Sequence, residues 1–481
     1  MTDSSDVAAG GWRDLLGPTH LGASTVLAGG VLLYATNEFL TISLMPSAVA
    51  DIGGQRFYAW VTTVYLVASV IAATTVQPVL MRIGPRWAYL SALTVFAAGS
   101  LGCALAPTME LLLVGRTVQG AAGGLLAGLG YAVINTALPS RLWTRASALV
   151  SAMWGVGTLV GPASGGLFAQ FGSWRWAFGV LVALTAAMAV LVPFTLPARV
   201  GDPDARPSRL RIPLWSLLLL GAAALVVSTA GIPRDVRVTA ALLAAGVVIV
   251  VVFLVVDRRA AVAVLPPSTF TRGPVKWIYA TLGLLMAATM VDMYVPLFGQ
   301  RLAGMAPVVA GFFGAVLSVG WTGGEITSAS LSRERVIVRT VAAAPLVMAV
   351  GLSVGMLALR DEMGAGWAAL WALGLLITGT GIGIAWPHLS AWAMSRVDDP
   401  AEGPAAAAAI NTVQLICGAF GAGLAGVVVN LTDTGDAGAA RWLFAVFAGA
   451  VAVGVLASMR AVAKNPAQEP VSVSPDRRRA A

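Results

Sequence analysis

Charge is scarce in this chain. Of 481 residues only 11% are Asp, Glu, Lys or Arg and 58% are hydrophobic, against roughly 25% and 45–50% in an ordinary soluble domain. A water-soluble globule needs a charged skin, so this composition excludes one. Cysteine is nearly absent as well: Cys103 and Cys417 lie far apart inside apolar runs. That spacing excludes a disulfide framework and a metal-ligand cluster. The first 21 residues carry Asp3, Asp6 and Asp14 rather than the basic head of a cleavable signal peptide, so the first apolar run is expected to be retained. No Ser/His/Asp set and no phosphate loop can be assembled outside the apolar runs, so no enzyme, metal or cofactor is expected. Gly421-x-Gly423-x-x-Gly426 matches a dinucleotide fingerprint by letter. It lies mid-way through an apolar helix with no strand before it, so it is no such site.

The apolar runs are the positive signal. They reach about 20 residues or more, the length of helix that crosses a hydrocarbon core. Fourteen are expected, near 24–48, 57–80, 87–106, 109–137, 146–170, 175–196, 214–232, 238–256, 277–299, 307–331, 339–359, 366–395, 403–430 and 441–460. The fold class is therefore an all-α membrane protein: two six-helix bundles plus two additional transmembrane helices between them. The expected division is an N-terminal tail (1–21), a six-helix bundle (22–197), a linker (198–213), the extra pair (214–257), a basic loop (258–276), a second six-helix bundle (277–460) and a tail (461–481). With both termini inside, twenty-two Lys and Arg fall in inner loops and tails and seven in outer ones, Arg116 being buried in a span. The positive-inside rule then makes both termini cytoplasmic. The net charge of +8 reports this topology and implies no nucleic-acid partner. An abundance of Ala, Gly, Val and Arg points to a GC-rich bacterium, and hence to its plasma (inner) membrane. Matching features in the two bundles suggest an internal repeat. Each has an acid in its first span (Glu38, Asp292), a basic loop after its second, and a Gly-rich fifth span.

Only Glu38, Asp292 and Glu325 are carboxylates well within the spans. An ionisable group in hydrocarbon costs on the order of 3 kcal/mol and is a functional candidate by default. Counting about 1.5 Å per residue, Glu38, Arg116 and Asp292 lie roughly 10–15 Å from the outer surface. A Glu38–Arg116 pair facing Asp292 is the arrangement expected, with Glu38 or Asp292 carrying a proton. The alternative is a static ion pair that fixes helix register. Glu325 and His388 form a second candidate proton-coupling pair or inner gate, although a lone His is more often a packed residue. Asn37, Gln119, Tyr131, Asn135, Asn411 and Gln414 could contact a substrate. Trp60, Trp154, Trp321 and Trp386 could wall its cavity, as suits lipophilic or cationic guests, or simply pack.

Span 4 carries Arg116-x-x-Gln119-Gly120, and span 5 carries Gly157-x-x-x-Gly161-Pro162-x-x-Gly165-Gly166 followed by Trp174-Arg175-Trp176. These resemble two signatures of the drug:proton antiporters of the major facilitator superfamily, and the fourteen-span layout resembles the larger branch of that family. The spacing itself implies only close helix packing through small residues, with a possible kink at Pro162. The loop after span 2 departs from the family pattern: Met81 stands where an acid is usual, while Arg82, Gly84 and Arg86 persist. In span 1 the expected Asp is Asn37, with the acid next door at Glu38. The resemblance implies a monomeric, proton-coupled exporter of lipophilic or cationic small molecules such as drugs, working by alternating access. Its partners would be the substrate, protons and the lipid bilayer. The alternatives are an exporter of an endogenous lipid or secondary metabolite, and a membrane sensor or assembly partner that moves nothing.

Overall fold

The computed structural model describes residues 12–198, 212–233, 235–399 and 402–462. The linker arginines, Arg234 and Arg477–Arg479 lie outside the described residues, as does the side chain of Asn135.

Among the described residues fourteen long helices follow in order: α1 (Leu21–Ile52), α2 (Tyr58–Ala73), α3 (Val76–Ala104), α4 (Met109–Ala132), α5 (Trp143–Phe171), α6 (Trp174–Thr195), α7 (Leu214–Thr229), α8 (Val236–Arg259), α9 (Val275–Thr289, continued by Val295–Ala303), α10 (Pro307–Ala329), α11 (Glu334–Ala358), α12 (Ala365–Ser395), α13 (Gly403–Leu431) and α14 (Gly435–Ala461). Thirteen are long and apolar enough to cross a membrane. The exception, α7, carries no charge but is only 16 residues long, about 24 Å. The chain is a multi-pass membrane protein.

Helix starts follow local chemistry. Thr108, Ser173 and Asp235 each accept a hydrogen bond from a first-turn backbone N–H of the helix they precede, the usual N-cap arrangement. The turn after span 2 is made at Gly84, whose φ of 77° and ψ of 168° interrupt α3. A β-carbon is strongly disfavoured in that conformation.

Within the first bundle α1 packs on α5, and α4 packs on α2 and α3. The second repeats this, with α9 on α13 and α12 on α10 and α11. The bundles meet through α2 on α13 and α5 on α10, contacts that a twofold pseudo-symmetry exchanges. The most enclosed span is α9, 83% buried, and the most exposed is α8, 17% buried. Helix α7 packs on α2 and α13, while α8 packs chiefly on α7. The seam between bundles is thus covered on one side by α7, with α8 at the periphery.

Asp257, at the end of α8, is fully buried and accepts hydrogen bonds from the backbone N–H of Val264 (2.7 Å) and Leu265 (3.0 Å). It folds the following loop back against the bundle. Asp257 closes the expected extra pair (214–257), where no such buried capping role was expected of it.

Candidate functional site

The site begins with a buried cation. Arg116 on α4 is 1% exposed. Its Nη1 donates to Gln119 Oε1 (3.0 Å) and its Nε to the Val61 carbonyl (3.3 Å). The guanidinium carbon lies 4.1 Å from the centre of the Tyr65 ring, a cation–π geometry. Gln119 is held in turn: its Nε2 donates to Ser100 Oγ (2.9 Å) and Asn37 Oδ1 (3.4 Å), and Cys103 Sγ donates to its Oε1 (3.3 Å). Asn37 and Gln119, expected to meet substrate, are fully buried and form this cradle instead.

The expected Glu38–Arg116 ion pair does not form. Among the described residues the ion pairs are Arg141–Asp14, Arg175–Asp51 and Arg301–Asp436. Glu38 Oε2 is buried with no hydrogen-bond partner. The reason is geometric: an amide, a carbonyl and an aromatic face already surround the guanidinium.

Asp292 sits in a different environment. Helix α9 is interrupted by a 3-10 turn, Met290–Tyr294. Pro296 has no N–H to donate to the carbonyl four residues back, which is that of Asp292, so the α-helical pattern fails there. Asp292 Oδ1 is buried without a partner. It faces a cavity of about 10 Å³ shared with Phe39, Ile42, Ser43 and Pro162 of the first bundle, space for about one water. Neither Glu38 nor Arg116 lines that cavity.

Through this cavity Asp292 lies beside Phe39, the residue that follows Glu38 on α1.

Among the described residues the polar and aromatic contacts between the bundles gather at one end, that of the α1–α2 turn. Tyr58 stacks on Tyr294 (4.8 Å between ring centres), and Tyr294 on Phe298 (5.9 Å). Arg301 donates to Gln55 (2.8 Å) and Asn430 to the Arg56 carbonyl (3.0 Å). The span 5 motif contributes twice. Gly157, Gly161 and Gly165 admit α1, whereas Gly166 lies against the Pro307–Val308 backbone of the second bundle. Its Trp174-Arg175 tail binds the end of α1: both side chains donate to Asp51, and Arg175 also donates to the Ala106 carbonyl.

Toward the opposite end the candidate residues are more open. Tyr131 is 43% exposed, Asn411 is exposed and Gln414 half-buried. Trp386 is half-buried against Trp321 (5.4 Å), and Trp154 packs edge-on to Tyr34 (5.4 Å). Trp60 instead donates to the Ser228 carbonyl of α7 (3.1 Å). Glu325 is half-buried, but His388 does not pair with it. The His388 ring nitrogen Nε2 lies 2.9 Å from Ser328 Oγ. Arg82 is exposed, Met81 is 46% exposed, and Arg86 Nε donates to the Leu196 carbonyl (3.0 Å). Tyr58, Tyr65 and Asp257 were missed by the sequence reading. Gln119, set i+3 from Arg116, was the available hint to a partner other than an acid.

Two pseudo-symmetric helical bundles, joined at one end and holding unpaired carboxylates near their seam, define a secondary transporter fold. The sequence profile of the Major Facilitator Superfamily matches residues 27–422, and the chain belongs to that family. It is 62% identical, over 96% of its length and 98% of the relative's, to a probable multidrug-efflux transporter of Mycobacterium tuberculosis (strain ATCC 25618 / H37Rv). Multidrug resistance protein 3 of Bacillus subtilis (strain 168) is 29% identical over 33% of this chain and 31% of the relative. Among solved structures, the nucleoside transporter NupG superposes with a TM-score of 0.59 over 91% of this chain and 100% of its own, at 14% identity. A D-xylose-proton symporter does so with a TM-score of 0.60 over 92% and 97%, also at 14% identity. These two likenesses concern the fold.

Proposed function

We propose that the chain exports lipophilic or cationic small molecules, drugs among them, across a bacterial inner membrane in exchange for protons. The carrying observation is the pair of buried carboxylates, Glu38 and Asp292, each with an oxygen lacking any partner. Stranding a charged group in this way is costly; a role in which it gains and loses a proton as its surroundings alternate accounts for its retention. The probable multidrug-efflux relative supports the substrate class. With the arginine-rich loops taken as cytoplasmic, the joined end is the outer one, and substrate would enter between the bundles from inside. Half-buried Trp154, Trp321 and Trp386 would receive it, with Tyr131, Asn411 and Gln414. Glu325 would serve there as a second acidic group. On this reading α7 and α8 stand outside the transport core, and the protein works as a monomer.

The test uses purified protein in proteoliposomes with an imposed proton gradient and a panel of lipophilic cations. Glu38→Gln and Asp292→Asn keep size and hydrogen-bonding capacity. The variant lacking the proton carrier should still bind substrate yet lose uphill export. Wild-type uphill rates in both would refute the assignment.

A further inference from the structure

We propose that Tyr58 is a positioning residue for the transport cycle, tying the opening of the joined end to the state of Asp292. The proposal rests on the reading of Asp292 as a coupling group. Tyr58 opens α2 and is 1% exposed. Its hydroxyl crosses the seam and donates to the Met293 carbonyl (3.1 Å). Its ring stacks on Tyr294 with an interplanar angle of 21°. Three successive residues of one 3-10 turn therefore face the first bundle by different means. Asp292 places its carboxylate in the seam cavity, Met293 offers its carbonyl, and Tyr294 offers its ring.

That turn is the pliable part of α9, because Pro296 withholds a helical hydrogen bond from it. The seam cavity, about 10 Å³, has space for a single water, fewer than a charged carboxylate requires. Hydrating the charge means parting the bundles, and parting them here breaks the Tyr58 contacts. The phenol of Tyr294 has no hydrogen-bond partner of its own, so stacking holds that ring. The other charge near this turn is Arg301, and its guanidinium is held by Asp436 (3.0 Å) and Gln55 (2.8 Å). Tyr58 is thus a contact through which a change at Asp292 reaches the first bundle.

The test reads distance rather than transport. Spin labels are placed at Pro107→Cys and Asp433→Cys, exposed positions of the two bundles at the joined end, with Cys103 and Cys417 replaced by Ala in the full chain. Double electron–electron resonance gives the ratio of parted to joined molecules. Tyr58→Phe keeps the stack and removes one hydrogen bond, and should raise that ratio about fivefold. Tyr58→Leu removes both and should raise it further. In an Asp292→Asn background, Tyr58→Phe should add less than about twofold, because the two residues act on one event. An unchanged ratio in Tyr58→Phe would overturn the proposal, and so would factors that simply multiply. The readout needs neither substrate nor gradient, so its failure is distinct from failure of the export reading.

Discussion

The joined end depends on how closely two backbones approach at Gly166, and adding one methyl group tests this. A β-carbon at Gly166 would lie 2.6 Å from Val308 Cα, 2.9 Å from the Pro307 carbonyl oxygen and 3.0 Å from Val308 N. Non-bonded carbons rest at roughly 3.5–4.0 Å. Gly166→Ala therefore requires α5 and α10 to separate by about 1 Å, and the opposing atoms are backbone that cannot swing aside. Overpacking of this kind costs about 1–3 kcal/mol. The cost falls only on the joined conformation, since the contact disappears when the bundles part. The ratio of parted to joined molecules should rise about 5- to 150-fold. Gly155→Ala is the control on the same helix, because nothing lies within 4 Å of a β-carbon there. Both variants gain helix propensity, about 1 kcal/mol, equally in the two conformations. The spin-label pair at Pro107→Cys and Asp433→Cys reports the ratio. If Gly166→Ala and Gly155→Ala agree within about twofold, the close approach at Gly166 does not hold this end together.

Three further outcomes follow from the same structure. A cysteine at Asp433 should react with an impermeant thiol reagent applied to whole cells and one at Arg206 should not; the reverse pattern would invert the orientation drawn from the arginines. Asp257→Ala orphans two buried backbone N–H groups and should cost about 2–4 kcal/mol, read as a lower thermal midpoint in detergent, and a midpoint equal to the parent would refute the role given to Asp257. Val247→Ile and Val248→Ile change exposed positions of α8 and should leave export rates within about twofold of the parent; a large loss would bring α8 into the transport core.

The helices were legible in the sequence because hydropathy over some 20 residues is a strong signal, and their order fixed the layout of two bundles and an intervening pair. Side-chain partnerships were not, since they depend on which face each helix turns to its neighbour. Arg116 illustrates this: an acid at similar nominal depth looked like its partner, while the amide one turn along its own helix and the ring of Tyr65 hold it. Asp292 was recognised as buried, yet the 3-10 turn that carries it before Pro296 was not anticipated. That proline was visible, and a helix position four residues before a proline is where a broken pattern should be sought. The span 5 glycines were read as packing residues. Spacing alone could not tell that Gly166 faces the other bundle while its neighbour Gly165 faces α1.

The way Arg116 is neutralised bears on how Glu38 could work. A buried ion pair is costly to break by removing one partner, about 3–5 kcal/mol, because the remaining charge is stranded. Had Glu38 been the main partner of Arg116, protonating it would have stranded the guanidinium in the same way, and the pair would resist cycling. Here the cation is met by the Val61 carbonyl, the Gln119 amide and the Tyr65 ring, none of which needs to change its charge. On the proposed reading Glu38 would exchange a proton while Arg116 stays satisfied, the arginine acting through its field in place of a direct bond. The span 4 signature has a physical reading in these terms. Arg116 provides the field, Gln119 holds it in place, and Gly120 lets Tyr65 approach closely enough to complete the cradle, its missing β-carbon falling 2.3 Å from the Tyr65 carbonyl oxygen.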